Sequence, residues 1–129
     1  MQDAQTAILV VEDEQPVRFL LIEILSSSFQ CSGAGSASEA LRLLETRTYG
    51  LALVDMRLPG LSGLSLCRLI CNRHPKTTVI MISGDTDPQS AIEAMKAGAA
   101  DFIVKPFNLS QITQTVQRTL DRRLPGAVA

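Results

Sequence analysis

The stretch Leu51-Ala52-Leu53-Val54-Asp55-Met56-Arg57-Leu58-Pro59-Gly60-Leu61-Ser62-Gly63 decides the fold. Leu51 to Val54 is an unbroken apolar run, too short for a helix and too continuous for a half-exposed strand. It reads as a strand buried on both faces. Leu58-Pro59-Gly60 is a turn signal, so Asp55 is placed at the carboxyl end of that strand, where a loop opens. In open parallel sheets ligands collect along that edge.

The same grammar recurs on both sides. Ala7-Ile8-Leu9-Val10-Val11 is a β-branched run closing on Glu12-Asp13-Glu14, and Thr78-Val79-Ile80-Met81-Ile82-Ser83 closes on a hydroxyl followed by Gly84. Phe102-Ile103-Val104 closes on Lys105-Pro106-Phe107, and Cys31 to Gly35 supplies a weaker strand. Helical periodicity fills the gaps. After Gln15, with Pro16 in the first turn, the face is Val17, Leu20, Leu21, Ile24 and Leu25, ended by Ser26-Ser27-Ser28. Ser36 and Glu39 offer a capping box for a helix with the face Ala37, Ala40, Leu41 and Leu44. Leu66, Leu69 and Ile70 mark a third helix, ended by His74-Pro75. Asp87-Pro88 starts a fourth through Ile92 and Met95 to Gly98. Asn108 and Gln111 cap a fifth with the face Leu109, Ile112, Val116 and Leu120. Strand and helix alternate five times through short connections, so right-handed crossovers predict a doubly wound parallel sheet. No internal repeat or low-complexity tract interrupts the pattern.

Composition narrows the function classes. A chain of 129 residues with 46% apolar and 19% charged residues is one domain and buries a core without disulfides. Its formal charge of -1 gives no overall pull toward nucleic acid or anionic membrane. Arg118, Arg122 and Arg123 form the only basic cluster; they read as the solvated side of the last helix or a dimer contact, so direct nucleic-acid binding is not expected. Three cysteines are an odd number, and Cys67 and Cys71 lie four apart on one helix. All three read as reduced thiols, since two thiolates alone do not close a zinc site. The first residues lack a basic region, and Ala7 to Val11 is too short for a signal core or a membrane span, which predicts a cytoplasmic protein. Leu124 to Ala129 reads as a tail or the start of a linker.

Parallel strands present their carboxyl ends on one side, so Glu12, Asp13, Asp55, Ser83 and Lys105 should converge there. Three carboxylates in one place raise one another's pKa unless a cation sits among them. Magnesium, held by carboxylates and a phosphate oxygen, suits that donor set, and Ser83 and Lys105 suit the phosphate. The acidic turn Glu12-Asp13-Glu14-Gln15-Pro16 stands where a glycine-rich phosphate loop would be needed, which argues against nucleotide binding. A Ser-His-Asp hydrolase is equally poor. The only histidine, His74, is expected as a solvated loop residue at the opposite edge.

These residues carry a resemblance. Glu12-Asp13, Asp55 with Pro59 and Gly63, Ser83-Gly84, and Phe102 with Lys105-Pro106-Phe107 resemble the receiver domain of bacterial two-component response regulators over residues 7 to 122. The resemblance implies a flavodoxin-like sheet in the order 2-1-3-4-5 with five helices, and a cis Lys105-Pro106 bond. It implies that Asp55 accepts a phosphoryl group from a sensor histidine kinase or phosphotransfer protein. It also implies that Asp13, Asp55, the backbone carbonyl of Arg57 and, through water, Glu12 hold magnesium, and that Lys105 pairs with the phosphoryl oxygens. Ser83 and Phe102 would then switch the surface of the fourth helix, fifth strand and last helix, where an output domain, a downstream protein or a second copy of the chain reads the state. Such a chain is a signalling switch rather than a turnover enzyme. Phe102 stands where tyrosine is frequent in the family, so any step using a phenolic hydroxyl is lost. Arg57 and Asp85 flank the expected path of a hydrolytic water.

Two other classes remain open on the residues alone. One is a binding module that keeps the fold and works without phosphorylation. The other is a phosphatase or phosphotransferase with an aspartyl-phosphate intermediate, although Arg57 occupies the place of the second carboxylate that such enzymes use.

Overall fold

The computed structural model describes residues 6–84 and 87–123. Five strands alternate with five helices: β1 (Ala7–Val11), α1 (Gln15–Leu25), β2 (Gln30–Ala34), α2 (Ala37–Thr46), β3 (Leu51–Asp55), α3 (Gly63–Arg73), β4 (Thr78–Ser83), α4 (Pro88–Lys96), β5 (Asp101–Val104) and α5 (Leu109–Arg123). The strands form one parallel sheet in the order β2-β1-β3-β4-β5, as the alternation and the resemblance predicted. The expected tail after Arg123 and the Asp85 reading lie outside the described residues.

Period-two alternation splits the core. Leu9, Val11, Ala52, Val54, Val79 and Met81 face α2, α3 and α4, while Ile8, Val10, Leu51, Leu53, Ile80 and Ile82 face α1 and α5. Each such side chain contributes roughly 1.5–3 kcal/mol by leaving water, so both faces of β1, β3 and β4 hold the sheet in register. A one-residue slip would exchange the two sets.

The predicted caps form. Ser36 Oγ accepts from Glu39 N–H at 3.2 Å, and Glu39 Oε1 accepts from Gly35 N–H at 2.8 Å. Asp87 Oδ1 accepts from Gln89 N–H, and Asn108 Oδ1 from Gln111 N–H. α3 has a cap that the sequence reading did not single out: Ser62 Oγ accepts from Ser65 N–H at 3.2 Å.

Several expectations need correction. Leu20 is 50% exposed and Leu109 60% exposed, so neither belongs to its helix's buried face. α1 is narrower than its leucine count suggested, because Leu21 and Leu25 fill the gap over the sheet. α5 instead buries Thr115 and Thr119 beside Ile112, Val116 and Leu120. Ile92 and Met95 are also exposed, and within α4 only Ala94 is buried. β2 runs one residue earlier than expected, since Gln30 N–H donates to Thr6 O while Gly35 is taken by Glu39.

His74 is not a solvated loop residue. It caps α3, is half-buried, and holds Nε2 3.7 Å from Glu45 Oε2. Arg118 and Arg122 do not simply decorate α5, because both reach Asp101 Oδ2, at 2.9 and 3.9 Å, and tie α5 to the start of β5. The cysteines are free thiols, as expected. Cys67 lies in the core, where burial first and then neighbouring Cys71 push its pKa up to about 12 and keep it protonated.

Candidate functional site

The carboxyl ends of β1, β3, β4 and β5 meet at one edge, and backbone hydrogen bonds fix what each presents. Glu12 N–H donates to Ala34 O at 3.0 Å, continuing the β1–β2 ladder one residue beyond the strand. Its side chain therefore points into the protein and is 1% exposed. Asp55 ends β3 opposite Ile82 and is 5% exposed, with Oδ1 accepting from Arg57 N–H at 2.8 Å. Lys105 N–H donates to Ser83 O at 2.7 Å, which ties the residue after β5 to the end of β4. The Lys105-Pro106 peptide bond is cis.

From that anchor the Lys105 ammonium reaches both buried acids. Nζ lies 2.9 Å from Asp55 Oδ2 and 3.2 Å from Glu12 Oε1. The other oxygen of Glu12, Oε2, accepts from Glu14 N–H at 3.2 Å. Asp13 is exposed beside them, and ligand oxygens of Glu12, Asp13 and Asp55 all lie within 4.8 Å of one another. Asp13, Glu14, Asp55, Arg57, Gly84 and Lys105 line an open cleft of about 360 Å³.

Charge is unbalanced here. One lysine faces three carboxylates, and burial, followed by a hydrogen bond shared with Asp55, pushes the Glu12 pKa up to about 7 despite the attraction of Lys105. For Lys105 burial works against the charge, yet the hydrogen bond and charge of Asp55, then Glu12, outweigh it and raise its pKa above the usual 10.5. The acids hold the lysine charged, and the single lysine does not satisfy them. Clustered carboxylate oxygens with no soft donor among them fit a hard divalent cation.

The sequence-predicted residues divide into two groups. Glu12, Asp13, Asp55 and Lys105 come together as expected, and Arg57 lies at the cleft with its backbone N–H on Asp55. Ser83 is 2% exposed at the end of β4, behind Gly84, which lines the cleft. Phe102 is half-buried on β5 opposite Met81 and packs on the side of the sheet covered by α3 and α4.

Gly63 has a role that its turn-like sequence context did not reveal. A Cβ there would stand 2.1 Å from the backbone oxygen of Asp55, so only glycine lets the start of α3 lie against the end of β3. A second cavity of about 360 Å³, lined by residues including Arg47, Arg73, His74 and Lys76, lies at the opposite edge of the sheet. It has one carboxylate, Glu45, and no buried acid cluster. Chemistry rather than size selects the first cleft.

Known proteins agree with this geometry. Residues 8–117 match the response regulator receiver domain family. The response regulator protein PilR of Pseudomonas aeruginosa is 41% identical over 120 residues, which is 92% of this chain and 27% of that protein. The DNA-binding transcriptional regulator NtrC of Klebsiella pneumoniae is 33% identical over 112 residues, 86% of this chain and 24% of NtrC. The chain thus spans about a quarter of the length of these relatives. Among solved structures, the receiver domain of NtrX from Brucella abortus superposes with a TM-score of 0.84 at 38% identity, covering 88% of this chain and 98% of that one. The BeF3-activated DrrB receiver domain gives 0.86 at 28% identity, covering 92% and 99%. Among the described residues no helix is long and apolar enough to cross a membrane. With the fold, the acidic edge and these relatives in agreement, the chain belongs to the response regulator receiver domain family.

Proposed function

We propose that Asp55 is the phosphoacceptor of a magnesium-dependent signalling switch. The observation that carries this reading is the Asp55 carboxylate itself. It lies at the mouth of a cleft, among two further carboxylates, with one oxygen held by Arg57 N–H and the other by Lys105 Nζ.

In the proposed reaction an Asp55 carboxylate oxygen bonds to phosphorus as the phosphorus–nitrogen bond of a kinase phosphohistidine breaks. The bonding pair leaves on the imidazole nitrogen. Glu12, Asp13, Asp55 and the backbone carbonyl of Arg57 are the groups that would hold magnesium, which supplies charge neutralisation at the phosphoryl oxygens. Lys105 follows the transferred group from the Asp55 carboxylate to a phosphoryl oxygen. Its long side chain can move without disturbing the backbone bond to Ser83 O. The Ser83 hydroxyl then donates to a phosphoryl oxygen, and Phe102 repacks in response. Such a rearrangement would alter the surface of α4, β5 and α5, where Ile92, Met95 and Leu109 are already exposed.

The donor is a sensor histidine kinase or phosphotransfer protein in the cytoplasm, and the reader is an output domain, a downstream protein or a second copy of this chain. The chain promotes only its own phosphorylation and dephosphorylation and turns over no other substrate. Intact mass after incubation with acetyl phosphate tests the reading. A single phosphoryl adduct that requires both magnesium and Asp55 is expected; the same adduct on Asp55→Ala at the wild-type rate would overturn it.

A further inference from the structure

Arg18 is not marked out by the sequence, since it lies in the first turn of α1, away from the strand ends that carry the site residues. Its half-buried side chain nevertheless passes over Gly33 of β2 and Gly35 to the acidic edge. Nη1 donates to the backbone oxygen of Glu12 at 2.7 Å. The path exists because glycines stand beneath Arg18 at Gly33 in β2 and at Gly35 just beyond it. A Cβ on Gly33 would stand 3.1 Å from Arg18 Cδ, and one on Gly35 would stand 3.3 Å from Nη1. Neither glycine has a positive φ, so what they supply at this place is room.

The bond falls where it has leverage. On the N-terminal side of the Glu12 Cα, Glu12 N–H is fixed by Ala34 O. On the other, the carbonyl leads directly into Asp13, whose backbone begins the turn to α1. With Glu12 N–H held by β2 and Glu12 O held by Arg18, the residue carrying the buried acid and the peptide leading to the exposed one are both fixed. We propose that Arg18 is a positioning residue that sets the placement of the Glu12 and Asp13 carboxylates relative to Asp55, with Gly33 and Gly35 providing its channel. This rests on the proposed magnesium site and assigns to it a group outside the acidic cluster. A guanidinium also suits the task because it donates without competing for protons near the acids.

The test reads magnesium affinity by calorimetry on the unphosphorylated chain, with thermal midpoint measured in parallel. Arg18→Ala is expected to weaken magnesium binding about tenfold, the lost placement of Glu12 and Asp13 outweighing the relief of a positive charge that, unlike Lys105, bonds a backbone oxygen and no carboxylate, and Arg18→Lys, which keeps a cationic donor on a flexible stem, to recover part of that loss. Gly35→Ala retains Arg18 but crowds Nη1, so it should weaken magnesium binding severalfold. Combined with Arg18→Ala it should add little, because both changes act through one contact. At saturating magnesium, acetyl phosphate should modify the variants at close to the wild-type rate, which places the loss in metal binding. A merely structural arginine would lower the thermal midpoint and leave the affinity of the folded chain within twofold of wild type; that result overturns the proposal. If the wild type itself binds no magnesium, the metal reading fails and this proposal falls with it. If the wild type binds and Arg18→Ala binds equally well, only the role of Arg18 falls.

Discussion

Replacing Glu12 with glutamine should stabilise the metal-free protein at alkaline pH, and the size of the gain follows from the buried carboxyl. The Glu12 pKa rises from 4.5 to about 7 on folding, by burial first and by the hydrogen bond with Asp55 second. Between those values the folded chain holds a proton that the unfolded chain has released. Stability therefore falls as pH climbs through this window, and the stabilisation present below pH 4.5 is gone above about 7. At about 1.4 kcal/mol per pKa unit, the loss is on the order of 3 kcal/mol. For a domain of this size that corresponds to roughly 10 °C in thermal midpoint. Glutamine stands in for the neutral acid: its oxygen accepts from Glu14 N–H as Oε2 does, its amide can donate to Asp55, and Lys105 keeps its bond to Asp55. Thermal melts in chelator from pH 5 to 8.5 should show the two proteins close together at pH 5, with Glu12→Gln melting about 10 °C higher by pH 8. Magnesium should close much of that gap by stabilising the wild type, since a ligand at 100 times its Kd adds about 2.7 kcal/mol. A difference between the two proteins that stays flat across the pH range would refute the reasoning, because no other substitution-specific proton is in play.

Two further outcomes follow from the same geometry. Lys105→Met removes a cation that lies within 3.2 Å of both buried acids, so calorimetry should find magnesium bound about tenfold more tightly. This effect should hold at pH 8 to 9, above the Glu12 pKa of about 7 and where the raised Lys105 pKa keeps that ammonium charged; unchanged or weaker binding there contradicts the assigned competition. Gly63→Ala gains little helix propensity at the first position of α3 and places a Cβ 2.1 Å from Asp55 O. A net loss of about 2–3 kcal/mol is expected, whereas Gly84→Ala, with nothing within 4 Å of the added atom, should change stability by about 0.5 kcal/mol or less. Equal melting temperatures for the two variants would show that α3 shifts freely from β3.

The sheet was legible because its central strands are apolar on both faces. Ile8 to Val11 and Leu51 to Val54 leave no other element type at that length, and each ends on the polar residue that the site uses. Helix faces were less legible. Leu20 and Leu109 have the right spacing, but α1 and α5 each need only a narrow stripe, and spacing alone does not say which edge of the stripe meets solvent. His74 was misplaced because a residue before proline looks like a loop, while here it closes α3 over Glu45. Arg18 was invisible for a different reason. Its use depends on a channel over Gly33 and Gly35, and glycines in a strand ordinarily read as weakness in that strand. The acids and the lysine could be placed from topology; the long side chain that crosses between elements could not.

The distribution of burial indicates which parts of this site can move and which cannot. Glu12 and Asp55 are set by β1 and β3, whose residues are buried on both sheet faces, and α3 presses so closely on β3 that Gly63 has no room for a side chain. Charge added at Asp55 therefore finds a rigid floor. The compliant side lies beyond β4. Gly84 has open space around it, and α4 buries only Ala94 within its length, against Gly63, Leu66, Cys67 and Ile70 in α3. Displacing α4 exposes the least apolar surface of the helices whose buried residues are assigned, so it costs least by area. Phe102 is half-buried on β5 and packs on the same side of the sheet as Ala94 of α4. A rearrangement that begins at a fixed carboxylate is thus directed toward α4 and β5 by the stiffness of everything else around it.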